Sequence, residues 1–200
     1  MKIGLDFDNT IVNYDNAFCR CAEEEGLLSG VQAAKKDDVK RLLIDSGREE
    51  SWTRLQGLVY GARMEYAVLN KGFGDFISTA KELGAELFIV SHKTRYPYLG
   101  EKYDLHEAAW GYINKNIVSK GLVRKENIFF RLTKEEKIQK IAELKCSMFI
   151  DDLPDILTHK LFPKTTLPLL YGFSDYPVSN IIPCPDWATA AEILRKCTNG

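Results

Sequence analysis

Five short apolar runs, separated by stretches of helical period, constrain this chain more than any other feature. They occupy residues 2–7, 86–91, 127–132, 146–151 and 166–171. Runs of this length suit strands buried on both faces, as in a parallel sheet covered by helices. Between them, Phe76, Ile77, Ala80 and Leu83 recur at helical spacing and stop at Gly84. Ile138, Ile141, Ala142 and Leu144 follow Thr133-Lys134-Glu135-Glu136, where Thr133 and Glu136 are spaced as a capping box. A last helix is predicted after Asp186 as N-cap, through Ala190, Ile193 and Leu194. The alternation predicts an α/β core: a doubly wound, Rossmann-like parallel sheet of about five strands.

One connection breaks the pattern. Roughly 70 residues separate the first two runs, where a bare strand-to-helix connection needs far fewer. The inserted periods are helical: Ala17, Cys21 and Ala22 closing at Gly26, then Val39, Leu42 and Leu43 after Asp37, then a long face of Leu55, Leu58, Val59, Ala62, Tyr66 and Leu69. A small all-helical cap over residues 16–73 is expected, with residues 1–15 and 74–200 forming the core domain. A second long connection, residues 92–126, carries His106 to Tyr112 at helical spacing and supplies a further lid element or a long crossover.

Composition narrows the partners. Within 200 residues, 27 Lys and Arg face 28 Asp and Glu, so no global field favours a nucleic acid or an anionic bilayer. No apolar run approaches the roughly 18 residues of a membrane span. Met1 to Asp8 brings in two acids where a signal peptide would be apolar. The five cysteines are scattered and odd in number, which gives neither a disulfide framework nor a zinc pattern. The expectation is a cytoplasmic protein with reduced thiols.

The chemistry sits at the ends of two apolar runs. Leu5-Asp6-Phe7-Asp8-Asn9-Thr10 closes the first, and alternation places Asp6 and Asp8 on one face at its carboxyl end, where α/β sheets bind ligands. Ile150-Asp151-Asp152 closes another. Four acids at one sheet edge need a counter-charge, and a hard divalent ion such as Mg²⁺ would satisfy them. The plainer reading makes these acids strand-end caps and helix-start residues, which suits Asp152 or Asp155 better than the first pair. Ser91 offers a hydroxyl to an anion, and Lys137, with Lys134 and Lys140 competing for the role, could screen phosphate charge.

In this order the residues resemble the four motifs of the haloacid dehalogenase-like (HAD) superfamily of phosphohydrolases. Asp6-Phe7-Asp8-Asn9-Thr10 is similar to the first motif, Ser91 after Leu87-Phe88-Ile89-Val90 to the second, Lys137 to the third, and Asp151-Asp152 to the double-acid form of the fourth. The resemblance implies Asp6 as the nucleophile that forms an aspartyl-phosphate and Asp8 as the general acid and base. It implies Mg²⁺ on Asp6, the Asp8 carbonyl and Asp152, with Asp151 ligating through water or orienting Lys137. Thr10 and Ser91 would help hold phosphate. A phosphate ester of a small metabolite, a sugar phosphate or nucleotide, is the implied substrate, and Asp8 argues against dehalogenation because halide leaves without a proton. Phosphoryl transfer as a mutase or phosphotransferase, or a non-catalytic binding module, are the alternatives. Arg54, Tyr60 and Arg63, and the polar stretch His92, Lys93, Arg95 and Tyr96, are candidates for reading the leaving group.

Overall fold

The computed structural model describes residues 1–28, 30 and 33–198. Contacts divide the chain into two compact units, Met1–Ile11 with Leu69–His92 and Val118–Gly200, and Val12–Val68 with Lys93–Ile117. The first is α/β and the second is helical. The helical unit takes in residues 93–117, which the sequence reading leaves with the core.

The α/β unit is built on a parallel sheet of six strands in the order β5-β4-β1-β6-β7-β8. These are β1 (Lys2–Leu5), β4 (Glu86–His92), β5 (Ile128–Arg131), β6 (Met148–Asp151), β7 (Leu167–Tyr171) and β8 (Ile182–Cys184). The five expected strands are all present. The sixth, β8, escapes a periodicity argument because it has three residues and contains Pro183, tolerable on an edge strand where a missing N–H costs no ladder bond. A separate two-stranded ladder pairs β2 (Val12–Asn13) with β3 (Val68–Leu69).

Side-chain alternation divides the two faces of this sheet. Gly4, Phe88 and Phe149 are lateral neighbours, so they share a face. That face is covered by α6 (Lys134–Leu144) and α7 (Pro154–Leu157), whose Ile138, Ile141, Ile156 and Leu157 join Phe88, Val90, Phe149 and Leu170 in one buried cluster. The expected capping box starts α6: the Glu136 N–H donates to Thr133 Oγ1 at 3.1 Å, and the Thr133 N–H to Glu136 Oε2 at 3.2 Å. Elsewhere in the unit, α4 (Phe73–Glu82) packs on α8 (Trp187–Thr198) through Phe73, Phe76 and Trp187. Asp186 caps α8, accepting from the Thr189 N–H at 2.8 Å.

The helical unit contains α1 (Asp15–Glu24), α2 (Lys36–Asp45), α3 (Glu49–Tyr60) and α5 (Leu105–Ile113). Its core is aromatic: Phe18 stacks on Trp52 at 5.0 Å, and Tyr60 meets Tyr14 edge-on at 4.9 Å. The expected face from Leu55 to Leu69 is not one helix. It ends at Tyr60, and Met64–Tyr66 is a separate 3₁₀ turn. The backbone leaves the helical range at Gly61 (φ −106°, ψ −97°), a position where a Cβ would lie 2.8 Å from the Gly57 carbonyl oxygen and against Tyr103. Residues 93–104 lean on α3, with Pro97 so close to Gly57 that a Cβ at that glycine would lie 2.7 Å from the Pro97 Cβ. No helix among the described residues is long and apolar enough to cross a membrane.

Gly4 is the tight point of the sheet. A Cβ there would meet the Phe149 ring, at 2.7 Å from Cε2, and the Cys146 sulfur at 3.1 Å. Because Gly4 stands two residues before Asp6, the overlap would be felt at the end of β1. Gly4→Ala is therefore expected to cost about 1–3 kcal/mol, the usual penalty for overpacking a filled core, read as a lower urea midpoint with an unchanged slope.

Candidate active site

The regular part of β1 stops at Leu5, but one further ladder bond, from the Asp6 N–H to the Ile150 carbonyl at 2.9 Å, holds Asp6 beside β6. Asp6 follows Gly4 by two residues and Asp151 follows Phe149 by two, so alternation directs both carboxylates to the face that α6 covers. Lys137, one turn into α6, meets them there. Its Nζ lies 2.5 Å from Asp6 Oδ1 and 2.6 Å from Asp151 Oδ2, with all three side chains almost fully buried. This selects among the three candidate lysines: Lys134 pairs with Asp155 and Lys140 with Glu143.

The remaining bonds fix the second acid pair. Asp151 Oδ1 accepts from the Leu153 N–H at 2.9 Å, so both oxygens of this residue are engaged and its carboxylate is oriented from two sides. Asp152 is held by Thr10: the Asp152 N–H donates to Thr10 Oγ1 at 3.1 Å, and that hydroxyl lies 3.4 Å from Asp152 Oδ1. The Thr10 hydroxyl, which the sequence reading places toward phosphate, is fully buried and meets Asp152 here. Ser91 is buried near the end of β4, and its hydroxyl has no hydrogen-bond partner among the described residues. Asp8 is half-buried in the loop after Asp6, outside any regular strand, so the alternation argument that joined it to Asp6 does not apply.

Carboxylate oxygens of Asp6, Asp151 and Asp152 lie within 4.8 Å of one another. Burial pushes the Asp6 carboxyl well above its ordinary range; Lys137 pulls it back, and Asp151, Asp152 and Asp8 push it up again. Burial also opposes the charge on Lys137, but Asp151 and Asp6 outweigh it and hold the ammonium above the usual lysine range. The carboxylates of Asp6, Asp151 and Asp152 carry more charge than the Lys137 ammonium between the first two offsets. A hard divalent cation would relieve this excess, and the all-oxygen donor set suits Mg²⁺.

Sequence comparison matches no family model and no curated protein. Structure comparison does find likenesses. A HAD-superfamily hydrolase from Ehrlichia chaffeensis superposes with a TM-score of 0.61 at 14% identity, covering 98% of this chain and 96% of that one. The chain has the haloacid dehalogenase-like fold. A predicted phosphoglycolate phosphatase from Haemophilus somnus 129PT gives a TM-score of 0.55 at 11% identity, with 96% of each chain covered. A HAD family hydrolase from Deinococcus radiodurans R1, solved with bound phosphate and sodium, gives 0.51 at 12% identity, covering 96% of this chain and 87% of that one.

Residues that the sequence reading missed also lie in this HAD-like core. Asn70 donates to the backbone of the loop after Asp8, and a lone Asn after an apolar pair carries no periodic or motif signal. Leu153 contributes only its N–H, which no side-chain pattern can announce.

Two outcomes follow from the buried charges. Lys137→Met leaves Asp6 and Asp151 without their cation and is expected to cost about 3–5 kcal/mol in metal-free urea denaturation, as breaking a buried ion pair does. Adding Asp6→Asn should recover part of that loss. Because the Asp6 pKa is raised in the folded state, its contribution favours the fold below about pH 4 and is lost as pH rises. In chelator, the melting temperature of Asp6→Asn should therefore gain on the wild type as pH rises from 4 to 7.

Proposed function

We propose that this protein is a Mg²⁺-dependent phosphomonoester hydrolase acting on a small phosphorylated metabolite through an aspartyl-phosphate intermediate. The observation that carries the reading is the burial of Lys137 between Asp6 and Asp151, with Asp152 fixed beside them by Thr10. A structural salt bridge needs one acid; this lysine has two, in a cluster that still carries excess negative charge. The likeness to the Deinococcus protein with bound phosphate and to the Haemophilus protein described as a phosphoglycolate phosphatase supports a phosphate ester as substrate.

In this reading Lys137 grips one oxygen of Asp6 and leaves the other to attack phosphorus. The bond from phosphorus to the ester oxygen breaks as the bond to Asp6 forms. Asp8 gives its proton to the departing oxygen, then takes one from water as that water attacks the aspartyl-phosphate, which releases inorganic phosphate and restores both acids. Mg²⁺ held by Asp6, Asp152 and the Asp8 carbonyl would supply charge screening on the phosphoryl oxygens. Asp151 keeps Lys137 in line, and the unpartnered Ser91 hydroxyl suits a phosphoryl oxygen. Arg54, Tyr60 and Arg63, candidates for reading the leaving group, a sugar or nucleoside, belong to the helical unit.

The test is phosphate release from a panel of sugar phosphates, nucleotides and a chromogenic ester, with Mg²⁺ and with chelator. Metal-dependent release is expected, abolished in Asp6→Asn and reduced about 10²–10⁴-fold in Asp8→Asn, the usual worth of a positioned acid and base. Folded wild-type protein that releases no phosphate from any ester would overturn the hydrolase reading, and phosphate passed instead to an acceptor sugar would mark a phosphotransferase.

A further inference from the structure

The loop that joins Asp6 to Ile11 carries the acid–base candidate. Asn9 adopts φ of +61°, a left-handed conformation that few side chains accept. The Ile11 N–H donates back to the Phe7 carbonyl at 3.1 Å, and this closes the turn. The carbonyls of residues 9, 10 and 11 are then all met by one residue 60 positions away. Asn70 Nδ2 donates to the Asn9 carbonyl at 3.2 Å and to the Thr10 carbonyl at 2.8 Å, while the Asn70 N–H donates to the Ile11 carbonyl at 2.8 Å. Two carbonyl acceptors also settle which end of the amide faces the loop, since only the NH₂ group can donate to both.

We propose that Asn70 is a positioning residue, which sets the placement of Asp8 and of Asp152 through the backbone of residues 9–11. The path is short in both directions. Asp8 precedes the first clamped carbonyl, and Thr10, whose own carbonyl is clamped, fixes Asp152 through its hydroxyl. An amide is well suited to the task. It gives two donors from a neutral group, whereas a lysine or arginine would bring a further cation beside the acids and an aspartate would set lone pairs against carbonyl oxygens. The roles given to Asp8 and Asp152 rest on the function proposed above, but the clamp itself is a geometric claim that stands or falls separately.

Asn70→Asp keeps the size and removes the donors, and Asn70→Ser keeps at most one. Each is tested in the full chain by kcat and KM for phosphate release, and by NMR hydrogen exchange of the Asp152 amide against the Ile138 amide. A clamp that positions the chemistry predicts kcat lowered up to about 100-fold, as loss of alignment does, with KM within about twofold. It also predicts Asp152 exchange faster by about 10-fold while Ile138 is unchanged, and Asn70→Ser lying between wild type and Asn70→Asp. Unchanged kcat with unchanged Asp152 exchange would overturn the proposal. So would equal acceleration of both amides, which marks general destabilisation. If the wild type releases no phosphate, the hydrolase reading fails, and the exchange arm alone decides: selective loss at Asp152 supports the clamp, and no change there overturns it.

Discussion

A single ammonium buried among carboxylates organises this molecule. Lys137 lies where two strands and a helix converge, and it can be there only because each delivers its part at the right height. An isolated charge at that depth would be too costly to keep, so the lysine and its two acids are mutually dependent. The capping box that starts α6 and the register that pairs Leu5 with Ile150 are local features, but their consequence is this one meeting point.

The site is assembled against its own stability. Burial and like charge both act on Asp6 in the direction of protonation, while the Lys137 ammonium acts against them and offsets them in part. The second acid pair is held from several sides, with Asp151 bonded at one oxygen by the Leu153 N–H and ion-paired at the other with Lys137, and Asp152 held through Thr10. Carboxylates that repel one another stay together only when their positions are determined from outside, by backbone donors and by a helix on the covered face of the sheet.

Gly4 shows how the core and the site share one constraint. The Phe149 ring lies across it, so that β1 and β6 carry an aromatic on one side and nothing on the other. Two residues further along both strands, the same face carries Asp6 and Asp151. Apolar packing thus ends where the acids begin, and the boundary between them is set by the two-residue period of the strands.

The alternation of apolar runs and helical periods was enough to determine the parallel α/β architecture, the capped starts of α6 and α8 and the acids at two strand ends, because those properties depend on neighbours in the chain. The short edge strand β8 and the break at Gly61 were not legible, the first for lack of length and the second because Tyr103 that crowds it is remote in sequence. Choosing Lys137 over Lys134 and Lys140 required coordinates, since all three lie on one helix and only its orientation on the sheet separates them. The contact of Thr10 with Asp152 and the clamp from Asn70 are likewise tertiary. Each joins groups remote in sequence through a few hydrogen bonds, which no local pattern encodes.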